Sequence, residues 1–482
     1  MRERRIINLP MLMRVSGWLL LMESFFMAFP LLCSIFFHES DIISFALSAS
    51  ITLAAGLMLT YLPRPNNTHL GKRDGFLLTA SVWVIFSLFG MLPFLLREHP
   101  LTVSNAFFEA MSGFTTTGAS TISSAASLTH GMHLWRALMQ WLGGMGIILF
   151  TVALLPMLNT TGGMQMINAE LTGITHDKIR PRVSQTAKSL WGIYILLTVV
   201  LLTLLLFAGV NWFDALCHSM GTVSTGGYTT YDSSSSFLTT PFLKIIVTVF
   251  MFLGGVNFTL LYRLLTGHLR MVWRNEVLRL YVSIIIAGSA LVVASAWFHR
   301  RNINMTGTVV DALFQVVSTS SSTGYVLSGE RVWGGEVALL MMVMTFFGAC
   351  AGSTSGGVKL DRLVVLIKHC YYELVRCVHP NNIYPVRLNG RVMPTQQVSK
   401  VVVFIFFFIG IIAGGTAVFG IMGVDMGNAF HLALNCMANA GVGNSYAGTP
   451  DVVKWFMAFL MLVGRLELFT VLVLFTRTFW HK

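Results

Sequence analysis

Asn105-Ala-Phe-Phe-Glu-Ala-Met-Ser-Gly-Phe-Thr-Thr-Thr-Gly118 is the stretch around which the chain is organised, because it recurs three more times. Its echoes are Asp214-Ala-Leu-Cys-His-Ser-Met-Gly-Thr-Val-Ser-Thr-Gly-Gly227, Asp311-Ala-Leu-Phe-Gln-Val-Val-Ser-Thr-Ser-Ser-Ser-Thr-Gly324 and Asn428-Ala-Phe-His-Leu-Ala-Leu-Asn-Cys-Met-Ala-Asn-Ala-Gly441. Each opens on Asn or Asp, continues with Ala and a large apolar residue, and closes on a Gly 13 positions later. The opening residue is expected to cap a short helix, since its side-chain oxygen accepts a backbone N–H that no helical carbonyl reaches. Two or three apolar turns follow, then small hydroxyl residues and Gly, where a helix is hard to continue and backbone can approach a ligand closely. Four such segments around one axis would present rings of carbonyl oxygens, the device by which potassium filters replace an ion's hydration shell.

With 55% hydrophobic and 11% charged residues and a mean hydropathy of +0.71, the chain reads as an integral membrane protein. Several apolar runs approach the roughly 20 residues that a spanning helix needs. An all-α fold is expected, because lipid offers no partner to an open backbone. No small-residue cleavage site follows the first run, so it is read as a span and not as a signal. The net charge of +12 does not point to nucleic acid, since the basic residues fall in connecting loops and no nucleic-acid module is recognisable. The six cysteines contain no Cys-x-x-Cys pair, which argues against a disulfide framework. His369, Cys370, Cys377 and His379 could in principle hold a metal, but their spacing reads more simply as that of a loop.

In chain order, a basic tail (Arg2, Arg4, Arg5) precedes apolar runs at 15–37 and 42–62, which are split by the acidic turn His38-Glu39-Ser40-Asp41 and followed by Arg64, Lys72 and Arg73. Runs at 76–96 and 134–158 flank the first recurring unit, 189–210 and 239–265 the second, 278–298 and 334–368 the third, and 399–421 and 452–476 the fourth. Lys178, Arg180, Arg182 and Lys188, then His268, Arg270, Arg274 and Arg279, then Lys359, Arg362, Lys368, Arg376, Arg387, Arg391 and Lys400 place the loops between repeats in the cytoplasm. Two plus eight spans result, with both termini cytoplasmic and all four units entering from outside. His299-Arg300-Arg301 is an external exception to what is a bias. The expected division is two N-terminal helices in 1–70 and repeats in 71–175, 176–270, 271–392 and 393–482, the third with a broken inner helix.

Three strings make this layout specific: Phe-Glu-Ala-Met-Ser-Gly-Phe-Thr-Thr-Thr-Gly-Ala at 108–119, Gly-Ala-Cys-Ala-Gly-Ser-Thr-Ser-Gly-Gly-Val-Lys at 348–359 and Gly-Arg-Leu-Glu-Leu-Phe-Thr at 464–470. With them the chain resembles the Trk/Ktr/HKT superfamily of potassium transporters over nearly its whole length, and the two extra N-terminal spans resemble the bacterial Trk uptake subunit. The resemblance implies four span, pore-helix, span repeats arranged pseudo-fourfold around a central pore. It implies ion coordination by the carbonyls of Thr116, Thr117 and Gly118, of Thr225, Gly226 and Gly227, of Ser322, Thr323 and Gly324, and of Asn439, Ala440 and Gly441. Only one glycine per unit is common to all four, so looser selectivity than that of a symmetric Thr-Val-Gly-Tyr-Gly filter is expected.

Gly, Ser and Thr at 348–357 interrupt what would otherwise be one long inner helix, and such a run is tolerated at membrane depth only where it is buried or lines a cavity. Its glycines are similar to those of a phosphate loop, but no Gly-Lys-Ser/Thr ends it. The resemblance makes it an intramembrane gate, assigning that role to Gly348, Gly352, Ser353, Thr354, Ser355, Gly356 and Gly357. Arg465 falls near the middle of the last apolar run, where a charge faces a wet cavity or a partner; the resemblance sets it beside the gate as a barrier to cations. A structural pair is the alternative, for which Glu467 is a poor partner because residues two apart do not face each other on a helix. Glu109 and Asp232 either raise the external cation concentration or serve local electrostatics and solvation.

A membrane enzyme is not expected, since no His-Glu-x-x-His, Gly-x-Ser-x-Gly or intramembrane Asp pair is present. An ion-coupled potassium symporter and a poorly selective sodium–potassium pore remain as alternatives, although carriers usually show inverted repeats and these four units enter from one side. The family further implies a homodimer in the bacterial inner membrane and a ring of cytosolic nucleotide-binding regulatory subunits, with the 359–400 loop as docking surface. Potassium is the transported ion, and no cofactor is expected.

Overall fold

The computed structural model describes residues 7–63, 70–144, 146, 183–298, 305–327, 335–382, 384–441 and 446–480. Arg2, Arg4, Arg5, Arg64, Lys178, Arg180, Arg182, most of the 134–158 run beyond Gly144 and the His299-Arg300-Arg301 cluster lie outside the described residues. The protein is predominantly helical; among the described residues the strands are the two-residue pair Arg387–Leu388 and Arg391–Val392.

The first two helices, Leu9–Phe36 and Ile42–Tyr61, pack against each other along their length. A side chain at Gly17 would run into Thr60, and one at Gly56 into Leu21. Small residues thus bring the backbones together where lipid supplies no hydrophobic drive between helices. Ser48, Thr52 and Thr60 donate their hydroxyl protons to carbonyls four residues back, so none of the three presents an unmet donor to lipid. Phe25, Phe29, Leu47 and Ile51 are exposed, as a bilayer-facing surface requires.

Six described helices are long and apolar enough to cross a membrane: Leu9–Phe36, Ile42–Tyr61, Lys72–Leu96, Lys188–Phe207, Glu276–Phe298 and Thr395–Ile421. The expectation of unbroken second spans in the second and fourth repeats is corrected. The 239–265 run is two helices, Pro241–Gly255 and Phe258–Leu265, bent by 109°. Hydropathy averages across this break, whereas Asn257 creates it by accepting the Thr259 N–H at 2.7 Å and starting a new helix. The 452–476 run divides into Asp451–Arg465 and Phe469–Leu474. Glu467 and Leu468 between them have φ of 51° and 58°, left-handed values that end an α-helix. The 334–368 run divides, as expected, into Gly335–Phe347 and Leu360–Val378.

The four recurring units form the short helices Val103–Phe114, Trp212–Val223, Met305–Ser320 and Met426–Ala438. Their opening Asn or Asp is not the cap. Thr102 caps the first helix, its Oγ1 accepting the Asn105 N–H at 3.3 Å, and Asp311 lies well inside the third, paired with Lys244 at 2.6 Å. Each short helix packs against the long helix before it, the helix after it and the outgoing helix of the preceding repeat. His130–Gly144 meets the second short helix, Pro241–Gly255 the third, Gly335–Phe347 the fourth and Asp451–Arg465 the first.

Candidate functional site

Each short helix ends in a sharp reversal at the same register. Thr116, Thr225, Ser322 and Asn439, two positions before the closing glycines, have φ of 56°, 53°, 55° and 49°. Left-handed backbone at four non-glycine residues is strained, and it persists at matching positions because the surrounding contacts impose it. Gly118, Gly227 and Gly324 follow at φ of 78°, 80° and 80°. A Cβ on Gly118 would strike the Gly226 carbonyl oxygen, on Gly227 that of Thr323, on Gly324 that of Gly441, and on Gly441 that of Thr117. The contacts run from unit one to two to three to four and back to one. Thus the closing segments of the four units meet in one closed ring of backbone contacts.

Side chains behind the ring fix it. Gln140 is buried, donates through Nε2 to the Gly226 carbonyl at 2.7 Å and accepts the Tyr228 N–H at 3.1 Å. Asn439 Nδ2 donates to Thr117 Oγ1 at 3.2 Å and to the Met461 carbonyl at 2.9 Å. Tyr228 donates its hydroxyl between the Glu109 and Ala119 carbonyls, at 3.1 and 3.2 Å. Tyr228→Phe keeps the ring and loses those bonds, so a loss of about 1 kcal/mol is expected. A lowered melting temperature in detergent would show it; an unchanged melt would mean that the hydroxyl carries no stability.

The loop between Gly335–Phe347 and Leu360–Val378 lies against this ring. Thr354 Oγ1 donates to the Val223 and Gly254 carbonyls at 3.2 and 3.1 Å and accepts from Thr225 Oγ1 at 3.2 Å. The Gly356 N–H donates to Ser322 Oγ at 2.6 Å, and a Cβ on Gly356 would strike the Ala438 carbonyl. On its other flank the Cys350 and Thr354 N–H groups donate to Gly255 and Gly254, while Phe258 N–H donates to Gly352. Ser353 and Ser355 hydroxyls pair at 2.8 Å, and Gly348 closes the neck beside Gly356 and Gly357. Arg465 reaches the same place. Its Nη1 donates to the Thr354 carbonyl at 3.1 Å and its Nη2 to that of Gly143 at 2.7 Å.

The family model described as a cation transport protein, TrkH, matches residues 42–482. The chain belongs to the TrkH family. It is 37% identical over 485 residues to the Trk system potassium uptake protein TrkH of Escherichia coli (strain K12), covering 97% of this chain and 99% of that one. It is 35% identical over 494 residues to the protein of the same name from Halomonas elongata, covering 98% and 100%. The crystal structure of the potassium transporter TrkH from Vibrio parahaemolyticus matches with a TM-score of 0.88 at 31% identity, covering 98% of this chain and 100% of that chain.

In this TrkH-family chain several sequence readings change. Glu109 is buried and ion-paired with Arg136 at 2.8 Å, accepting also from Ser120 and the Thr121 N–H. It therefore braces the first unit and is not an external cation trap. Asp232 is exposed but tied down, accepting from Ser124 Oγ and the Ala126 N–H at 3.1 Å each; the Ala126 N–H, with Ser124, holds its carboxyl below the usual range. Lys359 is no loop cation: its ammonium is buried and donates to the Ser355 carbonyl. Arg465 ends its helix instead of sitting mid-span. Glu467 pairs with Arg362 at 2.5 Å, not with Arg465. His369 lies 3.6 Å from Glu373, Cys370 and Cys377 are exposed, and among the described residues no three His, Cys, Asp or Glu side chains gather as a metal site.

Sequence reasoning missed a second register. Gly143 and Gly464 on the outgoing helices admit no side chain, because a Cβ would meet the carbonyls of Phe114 and Met437, and at Gly254 a Cβ would crowd the Thr225 methyl at 3.0 Å and the Val223 carbonyl at 3.3 Å. Each of these carbonyls lies four residues before its unit's closing glycine (118−114, 227−223, 441−437). The signal was present as Gly-Gly at 143–144 and 254–255 and as Gly464. Arg136 and Gln140, polar residues inside an apolar run, were the other overlooked sign.

Proposed function

We propose that this protein carries potassium into the cell across the bacterial inner membrane through a gated, channel-like pore. The observation that supports it is the closed ring of glycine-to-carbonyl contacts linking Gly118, Gly227, Gly324 and Gly441. A single axis through that ring gives the four repeats a pseudo-fourfold arrangement and lines the axis with the carbonyls of Thr116–Gly118, Thr225–Gly227, Ser322–Gly324 and Asn439–Gly441, which take the place of water around the ion. The repeats fall in 71–175, 176–270, 271–392 and 393–482, after two N-terminal helices. Relatives named as Trk potassium uptake proteins favour potassium as the cargo.

Arg270, Arg274, Arg279, Lys368, Arg376, Arg387 and Lys400 cluster about the junctions between the second, third and fourth repeats, so the positive-inside rule puts that end, with both termini, in the cytoplasm. The 348–357 loop, bonded to the units through Thr354 and Gly356, is the gate, and Arg465 holds it. Leu360–Val378, exposed at Ile367, Tyr371, Leu374 and Val378, offers a cytosolic nucleotide-binding subunit a handle on that gate, and two membrane subunits pair as a homodimer.

Purified protein in liposomes tests the reading. Potassium flux is expected to reverse at the potassium equilibrium potential and to ignore an imposed proton gradient. Flux driven uphill by protons or sodium would make the protein a symporter. Deleting residues 350–357 is expected to leave the potassium-to-sodium ratio unchanged and raise flux severalfold. A folded deletion that conducts as the parent does would place the gate elsewhere.

A further inference from the structure

We propose that the Arg362–Glu467 ion pair is a latch: it ties the helix leaving the loop to the break in the last membrane helix, and so sets whether the loop stays against the ring. The proposal deepens the gate reading and rests on it. Arg362 Nη2 meets Glu467 Oε2 at 2.5 Å, with side-chain exposures of only 12% and 23%. The guanidinium also lies 3.9 Å over the Phe404 ring and donates through Nη1 to the Val358 carbonyl at 3.1 Å. A pair this shielded is coupled more strongly than a surface one.

What the pair joins makes it a switch element. On one side, the first turn of Leu360–Val378 grips the loop twice. Lys359 donates to the Ser355 carbonyl, and Asp361 accepts the Ala351 N–H at 2.7 Å. On the other side, Glu467 is two residues from Arg465, which holds the Thr354 carbonyl. The loop is therefore held from two elements, and the ion pair bridges them.

Both bridged segments carry strain at their roots. Lys359 has φ of 75°, and Glu467 and Leu468 have 51° and 58°. Left-handed backbone at non-glycine residues persists only where surrounding contacts impose it, and the Arg362 contact is one that holds Glu467. Releasing it lets the 466–468 break relax towards helix. That motion withdraws Arg465 from Thr354 and frees the loop, while the ring's own bonds through Gln140 and Asn439 are untouched. A pull on Leu360–Val378 reaches the loop by the same route.

Full-length protein in potassium-loaded liposomes supplies the test, with Arg362→Gln, Glu467→Gln and the double variant. Each single variant is expected to raise basal flux on the order of fivefold, the range of coupling between linked sites. The double variant is expected to match the singles instead of multiplying them, since both remove one interaction. Arg362→Lys, which keeps the charge, is expected to conduct as the parent does, and the potassium-to-sodium ratio is expected to be unchanged throughout. Multiplicative singles, an Arg362→Lys variant as leaky as Arg362→Gln, or an altered ion ratio would each overturn the latch. Parent-like Gln variants beside a leaky 350–357 deletion would overturn the latch and leave the gate standing. A parent-like deletion would remove the gate itself and the latch with it.

Discussion

Replacing Gly118, Gly227 or Gly324 by Ser is expected to lower potassium-over-sodium selectivity at least tenfold, a change of about 1.4 kcal/mol in relative site affinity. Two effects act together. Each glycine lies at φ near 80°, where an L-residue is disfavoured by roughly 1–2 kcal/mol. Each also abuts the carbonyl of the next unit, Gly226, Thr323 or Gly441, with no space for a Cβ. The neighbouring carbonyl must move, and the ring that holds a bare ion loses its spacing. Ala carries the same Cβ and is expected to be as disruptive as Ser. Gly441 lacks a left-handed φ, so Gly441→Ser carries no backbone penalty of that kind and is expected to lose selectivity only through the clash of its Cβ with the Thr117 carbonyl oxygen, the Gly118 carbonyl carbon and the Ala119 nitrogen. Reversal potentials with potassium on one side and sodium on the other measure the ratio. Parent-like ratios in all four variants would mean that the ions do not pass this ring.

The glycines that this prediction uses were legible because they recur at a fixed spacing, and chance seldom keeps such a register four times. The reversal beside them was not. Thr116, Thr225, Ser322 and Asn439 take left-handed φ although none is glycine, and nothing in Thr or Ser announces it; only Asn is enriched there. Long uninterrupted helices such as Thr395–Ile421 were readable from apolar length. The breaks at Asn257 and at Glu467-Leu468 were not, because a two- or three-residue interruption leaves the mean hydropathy of a run almost unchanged.

The loop at 348–357 was visible by the same physics in reverse, since ten consecutive residues poor in apolar bulk cannot pass as span. Charged residues were the least legible. Lys359 looked like a cytoplasmic loop cation and Glu109 like an exposed helix start, yet both are buried against partners far away in sequence or across a turn. A buried charge needs a partner, but the sequence does not say which of several candidates it has. Arg136, 27 residues from Glu109, could have been suspected only because a lone Arg in an apolar run must face inward.

Arg465→Ala is expected to raise basal potassium flux on the order of 30-fold and to weaken any dependence on a regulatory subunit. A unit positive charge about 6 Å from a permeating cation costs about 3 kcal/mol at an effective dielectric of about 20. Partial solvent screening of a side chain that is only half-buried reduces this from the full hundredfold. The geometry supplies a second effect. Arg465 bridges the Thr354 carbonyl of the loop to the Gly143 carbonyl of another repeat, so removing it also frees two buried acceptors and loosens the loop. The two effects separate by substitution. Lys retains the charge but forms no planar fork, whereas Gln retains hydrogen-bonding capacity without charge. If the charge dominates, Lys is expected to stay closed and Gln to leak nearly as Ala does. A Gln variant that conducts as the parent does, beside a leaky Lys variant, would show that the bridge closes the pore and the charge does not. The barrier would then be mechanical, and the same 350–357 deletion that opens the parent would open the Gln variant to the same extent.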